Sequence, residues 1–324
     1  MFSYLAKRLL MMAPIMVGIT IITFAVIHLA PGEPTDRMTD LNPKISAQAK
    51  QKMREMYNLD KPLHVQYLLW FERFVKLDFG KSFSPDNRPV LDKILERLPI
   101  TIFINVVSLI LIFLLSIPLG VISATRPYSL FDKGTTLFVF LGFSTPGFWL
   151  SLLLMILFGV QLGWLPISGI RSINFGEFST WGKLSDYARH LVLPVLLSSL
   201  TSLAFLSRVT RQNMLEVIRQ DYVTTARAKG CTETAVVYRH ALRNALLPIV
   251  TIVGLSVPSL IGGSVIFETI FSIPGMGMLF YESVMSRDYP LVMGVLIIGA
   301  ALTLIGNLLA DVIYAVADPR IRYG

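Results

Sequence analysis

Six runs of mainly apolar residues dominate this sequence, at about Leu9–Leu29, Ile100–Ser123, Thr136–Leu162, His190–Leu206, Leu246–Phe267 and Leu291–Val316. Each reaches roughly the 17–25 residues that an α-helix needs to cross a bilayer. Hydrocarbon offers backbone N–H and C=O groups no water, so such runs must form helices that close their own hydrogen bonds. The expected class is all-α, a polytopic membrane protein with six transmembrane helices. Composition agrees: 53% of the 324 residues are hydrophobic and 15% are charged, where soluble domains carry about 25% charged residues. The fourth run is short and is expected to extend into its flanks.

The polar remainder sets the topology. Lys7 and Arg8 precede the first run, Arg126 and Lys133 lie between the second and third, and Arg320 and Arg322 follow the sixth. The loop at 208–246 holds Arg208, Arg211, Arg219, Arg227, Lys229, Arg239 and Arg243 against Glu216, Asp221 and Glu233. Basic residues gather in cytoplasmic loops, so both termini are expected inside. The net charge of +8 is explained by these loops, and nucleic acid is not expected as a partner. The first run is too long for a signal-peptide core, and Pro31-Gly32-Glu33-Pro34 offers no small-residue cleavage site. The chain divides into 1–30 (N-terminus and first helix), 31–98 (an extracytoplasmic helical segment) and 99–324 (a transmembrane core with a cytoplasmic loop at 208–246). Within 31–98, Gln66 to Leu77 places Tyr67, Trp70, Phe71, Phe74 and Leu77 at helical spacing.

Chemical motifs are sparse. Gly80-Lys81-Ser82 looks like the end of a phosphate-binding loop, but Val75 stands where that motif needs a glycine. The four histidines, His28, His64, His190 and His240, form no HExxH pair, and nothing links Ser144 to His190 as a catalytic pair. The single cysteine, Cys231, excludes an internal disulfide and a cysteine-based metal site. No catalytic, cofactor or metal residue is expected. Glu268 and Asp311 fall near opposite ends of the fifth and sixth runs, where ionisable groups are often functional; a structural pairing is the expected reading for both. Gly159 and Gly163 have the spacing of a close helix-packing pair. Pro118, Gly120, Pro146, Gly147, Pro194 and Pro258 mark sites where spans bend.

The loop after the fourth run is longer than a connector needs. Thr224, Thr225, Ala226, Arg227, Ala228 and Lys229 are compatible with helix, and Gly230 follows as the residue that ends it in the left-handed conformation. Lys229 suits the negative end of the helix dipole. Thr232 is placed to cap a second helix with Glu233 in its first turn. Ala226 and Ala228 are small enough for a partner to approach closely. A solvated basic loop beside anionic lipid is the alternative reading.

This stretch resembles the EAA loop of permease subunits of ABC-type importers. That pattern is Glu-Ala-Ala, three residues, Gly, nine residues, then Ile-x-Leu-Pro. Thr224-Thr225-Ala226 stands at its start, Gly230 matches, and His240-Ala241-Leu242-Arg243 stands at its end, without the Glu or the terminal Pro. The fuller run Asp221-Tyr222-Val223-x-Thr225-Ala226-Arg227-Ala228-Lys229-Gly230, with His240 to Ala245 and Leu247-Pro248, is similar to the B-type subunit of dipeptide, oligopeptide and nickel permeases. Further similar elements are His28-Leu29-x-Pro31-Gly32, Leu59-Asp60-Lys61-Pro62, Leu165-Pro166-x-Ser168-Gly169 and Met214-Leu215-Glu216-Val217. Glu268-Thr269-x-Phe271-x-x-Pro274-Gly275-x-Gly277, Arg287-Asp288-Tyr289-Pro290 and Asp318-Pro319-Arg320-Ile321-Arg322 complete them, and Glu33 stands where the family more often has Asp.

The resemblance implies a type I-like ABC importer permease in the bacterial cytoplasmic (inner) membrane. Its implied partners are a second, C-type permease subunit, two cytosolic ATPase subunits that bind the ATP, an extracytoplasmic solute-binding protein, the lipid bilayer and a short-peptide substrate. Thr224 to Gly230 would be the coupling helix seated on an ATPase. A nickel chelate is the alternative cargo. A secondary transporter is the alternative class, but it should show a duplicated half with interrupted helices, and no such repeat is evident.

Overall fold

The computed structural model describes residues 2–29, 32, 47–56 and 58–317. Pro31, Glu33 and the Asp318-to-Arg322 ending lie outside the described residues. The described chain is helical, and its one β contact is an isolated bridge between Lys81 and Pro89.

Four helices cross a membrane thickness without interruption by length and composition: α1 (Phe2–Leu29), α4 (Val90–Thr125), α7 (Thr180–Ile218) and α14 (Tyr289–Ala317). Two bent pairs supply the other crossings. The first is α5 (Leu130–Ser144) with α6 (Gly147–Met155) and the π turn Ile156–Gln161, folded by 103°. The second is α11 (Leu247–Ser256) with the 3₁₀ turn Pro258–Leu260 and α12 (Val265–Ile270), folded by 45°. With each pair counted as one crossing, the chain has six spans. The first break falls at Thr145-Pro146, where a proline removes a backbone donor and disfavours helix at the residue before it.

Several apolar runs understated the helices around them. The second starts at Val90 rather than near Ile100, so the sequence boundary at 98/99 falls inside α4. The fourth extends at both ends, from Thr180 to Ile218, with Ser179 capping its start through Gly182 N–H at 3.2 Å. The Gly159/Gly163 spacing does not mark helix packing. Gly163 lies beyond the helix end at φ +62°, and a side chain at Gly159 would meet Ile167 of the same segment.

The parallel pair α4 and α7 forms the spine. Ser108, Ser116, Gly120 and Ser123 on α4 lie buried with Ser199, Ser207 and Thr210 on α7. Small residues let the backbones approach; a Cβ at Gly120 would stand 2.5 Å from Thr210 Cβ. Along one side, α1 packs on α14, with Phe24, Ile27, Leu291 and Val295 in a shared core.

Residues 47–56 and 58–89 form a cap at one end of the bundle, with helices α2 (Ala47–Met56) and α3 (Leu63–Val75). Tyr67, Trp70 and Phe74 turn inward and pack against the core of α1 and α14. Tyr67 and the Thr20 hydroxyl lie 3.0 Å apart. The cap loop is tied down by polar contacts. Ser82 Oγ donates to Asp288 Oδ2 at 2.5 Å, and Lys93 Nζ donates to Ser84 Oγ at 2.7 Å. Lys93 also bonds Asp86 at 2.9 Å, holding that carboxyl below the usual carboxylate range. Ser82 is therefore a latch to α14, which gives the Gly80-Lys81-Ser82 stretch a structural role.

Both membrane acids are paired. Thr101 Oγ1 donates to Glu268 Oε1 at 3.1 Å, and Met278 N–H, in α13 (Met276–Met285), donates to Oε2 at 2.9 Å. Glu268 thereby joins α12 to α4 and α13. At the opposite end, Asp311 and Arg8 form a 3.2 Å ion pair between α14 and α1.

Candidate functional site

After Arg219 at the end of α7, Gln220 turns extended, and Asp221–Ala228 forms the short helix α8. Its end has the two bonds of a Schellman motif. Cys231 N–H donates to Ala226 C=O at 3.3 Å, and Gly230 N–H donates to Arg227 C=O at 2.9 Å. Gly230 sits at C′ with φ +77°, where a residue without Cβ is favoured. The chain then turns into α9 (Glu233–Ala235), capped by Thr232 Oγ1 accepting from Ala235 N–H at 3.3 Å. It continues through a π turn, Val236–Ala241, into α10 (Leu242–Ala245).

The hairpin is held to its own chain. Val223, Ala226, Val236, Val237, Ala241 and Ala245 are buried in one cluster with Val121 and Ala124 of α4 and Met214 of α7. The wide π turn brings the adjacent Val236 and Val237 into the same core. Asn244 Nδ2 donates to the Tyr222 hydroxyl at 2.9 Å, and Arg227 Nε donates to Glu233 Oε1 at 2.8 Å across the bend.

The seven sequence-expected residues therefore separate into two sets. Thr224, Thr225, Arg227, Ala228, Lys229 and Gly230 are exposed. Ala226 is not: at 6% exposure it is part of the internal cluster, which corrects the expectation that a partner approaches it. Its small size serves packing inside the chain, because Val223 and Ala226 at i, i+3 share the inward face. Arg227 is likewise engaged internally with Glu233.

One feature beneath the hairpin was not expected from the sequence. Arg211 of α7 grips Asp132 of α5 through both carboxylate oxygens, Nε at 2.7 Å and a terminal nitrogen at 2.8 Å. Asp132 also accepts from Ser123 Oγ and, at 2.9 Å, from Tyr128 N–H. This joins α4, the α4–α5 turn, α5 and α7 at the end that carries the hairpin. Ser129-x-x-Asp132 reads as a helix cap from sequence; Arg211, 79 residues away, gives no local signal.

A second feature lies at membrane depth between α4, α7 and the broken α11–α12 span. A groove of about 270 Å³ is lined by Asn105, Ser108, Ser198, Ser202, Ser256 and Ser259 among apolar side chains. Asn105 Nδ2 donates to Leu260 C=O and Gly262 C=O, each at 2.9 Å, where the span breaks.

Residues 116–323 match the family described as binding-protein-dependent transport system inner membrane component, and residues 1–105 match the N-terminal model of the same membrane components. The chain belongs to this family. It is a multi-pass inner-membrane transport subunit and not an enzyme. It is 46% identical, over all of both chains, to the oligopeptide transport system permease protein AppB of Bacillus subtilis. It is 38% identical to the di/tripeptide transport system permease protein DppB of Pseudomonas aeruginosa, over 100% of this chain and 99% of that one. It is 36% identical to the dipeptide transport system permease protein DppB of Alkalihalophilus pseudofirmus, over all of both chains. In this permease the hairpin falls within the matched region, between two membrane crossings.

Proposed function

We propose that the chain forms half of the membrane pathway of an ATP-driven, binding-protein-dependent importer of short peptides. The other half is a C-type permease subunit. Two cytosolic ATPase subunits bind the ATP, and a solute-binding protein delivers the peptide outside. Both termini face the cytoplasm. The exposed face of α8, Thr224, Thr225, Arg227, Ala228, Lys229 and Gly230, seats in an ATPase groove as the coupling helix.

The observation that carries this reading is the hairpin's construction. Its inward face is fused to the ends of α4 and α7, and its outward face is open. A push on α8 therefore reaches the two longest membrane helices through packed side chains. The printed names of the full-length relatives support the peptide cargo.

The test is uptake of a labelled tripeptide into proteoliposomes holding the whole complex. The expected result is uptake that requires ATP, the ATPases, the binding protein and this chain together. Uptake by this chain in a proton gradient without the ATPases would overturn the reading in favour of a secondary transporter.

A further inference from the structure

Three polar groups facing the membrane-depth groove have no partner within the described protein. The hydroxyls of Ser198 and Ser202, one turn apart on α7, make no hydrogen bond, and Asn105 Oδ1 accepts none while its Nδ2 is fully engaged. Ser202 and Ser259 are exposed, and Ser198 is half-buried. Most other helix serines at this depth are satisfied locally: Ser199 Oγ donates to Leu196 C=O at 2.9 Å and Ser256 Oγ to Ile252 C=O at 2.7 Å. A polar group left unpaired against lipid is costly, so this face meets water or polar cargo. The lining also has a negative property. Among the described residues, no Asp, Glu, Lys, Arg or His lines the groove.

We propose that this groove is a transit site for the peptide main chain, built to hydrogen-bond amides and to ignore side-chain charge. Hydroxyls both donate and accept, so Ser198 and Ser202 can serve an amide N–H or a C=O as the peptide slides past. Asn105 Oδ1 accepts from amide N–H. Asn105 also ties α4 to the α11–α12 break, whose carbonyls its Nδ2 binds. With no fixed charge in the wall, lysine- and glutamate-containing peptides meet similar electrostatics here, and discrimination falls to the delivering protein. This inference rests on the peptide-import reading above.

The test uses the complete complex with its binding protein in proteoliposomes, in a Cys231→Ala background. Ser198→Cys and Ser202→Cys should each react with a small cationic methanethiosulfonate from the water phase during turnover, and reaction should stop uptake. Ser202→Asp should shift the lysine-to-glutamate tripeptide uptake ratio toward lysine by about tenfold relative to wild type, equivalent to about 1.4 kcal/mol. Selection by the binding protein cancels in that comparison. No labelling in any nucleotide state would mean that the serines pack against the second permease, and would overturn the proposal. So would labelling without loss of uptake, or an unchanged ratio in an assembled Ser202→Asp complex. If Ser202→Asp does not assemble, the same ratio is read on Ser198→Asp. Failure of the peptide-import reading looks different: the wild-type complex would take up no tripeptide, whatever the cysteines report.

Discussion

Gly230 holds φ +77° at the C′ position of α8, with open space where a Cβ would stand. A substitution there is opposed by backbone strain and not by a clash. For a non-glycine residue the left-handed conformation costs about 1–2 kcal/mol, and a β-branched side chain is worse. Gly230→Val should leave the protein in the membrane but weaken co-purification of the ATPases and abolish uptake, while Gly230→Asn, which tolerates this conformation, should retain much of both. Equal and normal uptake by the two variants would remove α8 as the coupling element. The alanines two residues apart should behave differently from each other. Ala226→Trp overfills the cluster of Val121, Met214 and Val236, at about 1–3 kcal/mol or more, so it should lower the thermal stability of the purified chain. Ala228→Trp lies on the exposed face and should leave that melting point unchanged while blocking ATPase docking. Gly230 and the Thr232 cap were legible in the sequence because capping is local chemistry. The burial of Ala226 was not, because it depends on where α4 lies.

Sequence reading located the membrane crossings through their apolar windows, but a helix does not stop where hydrocarbon does. The segments Val90–Leu98, Thr180–Arg189 and Arg208–Ile218 continue α4 and α7 beyond their apolar cores. Their polarity hid them, and they are what reach the cap on one side and the hairpin on the other. The Thr145-Pro146 break was visible as a residue signal, whereas its 103° angle is a matter of packing. The Asp132–Arg211 grip belongs to the same scale, since it ties four segments into one end plate. Hydrogen bonds to charged groups are worth about 1.5–3 kcal/mol, and Asp132 is only 5% exposed. Asp132→Asn should therefore destabilise the end that carries the hairpin and uncouple the machine. The expected readout is retained basal ATP hydrolysis with a much reduced ratio of peptide transported to ATP consumed. In a double-mutant cycle with Arg211→Gln, the two changes should be strongly non-additive; simple additivity would dissolve the grip as a functional unit.

At the scale of the whole molecule, the segment 31–98, expected from its aromatic spacing to be helical, has two roles open to it: covering the spans, or also meeting the binding protein. The aromatic face that suggested the cap is spent inward, on α1 and α14, which accounts for the covering role. What faces outward is different in kind. Arg73 and Lys81 are exposed and make no side-chain hydrogen bond or ion pair in the described structure. They border a cavity of about 670 Å³ with Trp70, Phe79, Phe83 and Tyr289. Two exposed cations beside this cavity suit an acidic docking partner, and charged rims act mainly on association rate and its salt dependence. Reversing both, Arg73→Glu with Lys81→Glu, should spare the fold, because surface substitutions usually cost within about 0.5 kcal/mol. If the cap docks the loaded binding protein, the double reversal should reduce stimulation of ATP hydrolysis several-fold at low salt. The defect should narrow as salt screens the interaction over a Debye length of about 10 Å at 0.1 M. Basal hydrolysis without binding protein should not change, because in the proposed topology Arg73 and Lys81 lie on the side of the bilayer opposite the ATPases. Stimulation that matches wild type at every ionic strength would leave the cap with the covering role alone.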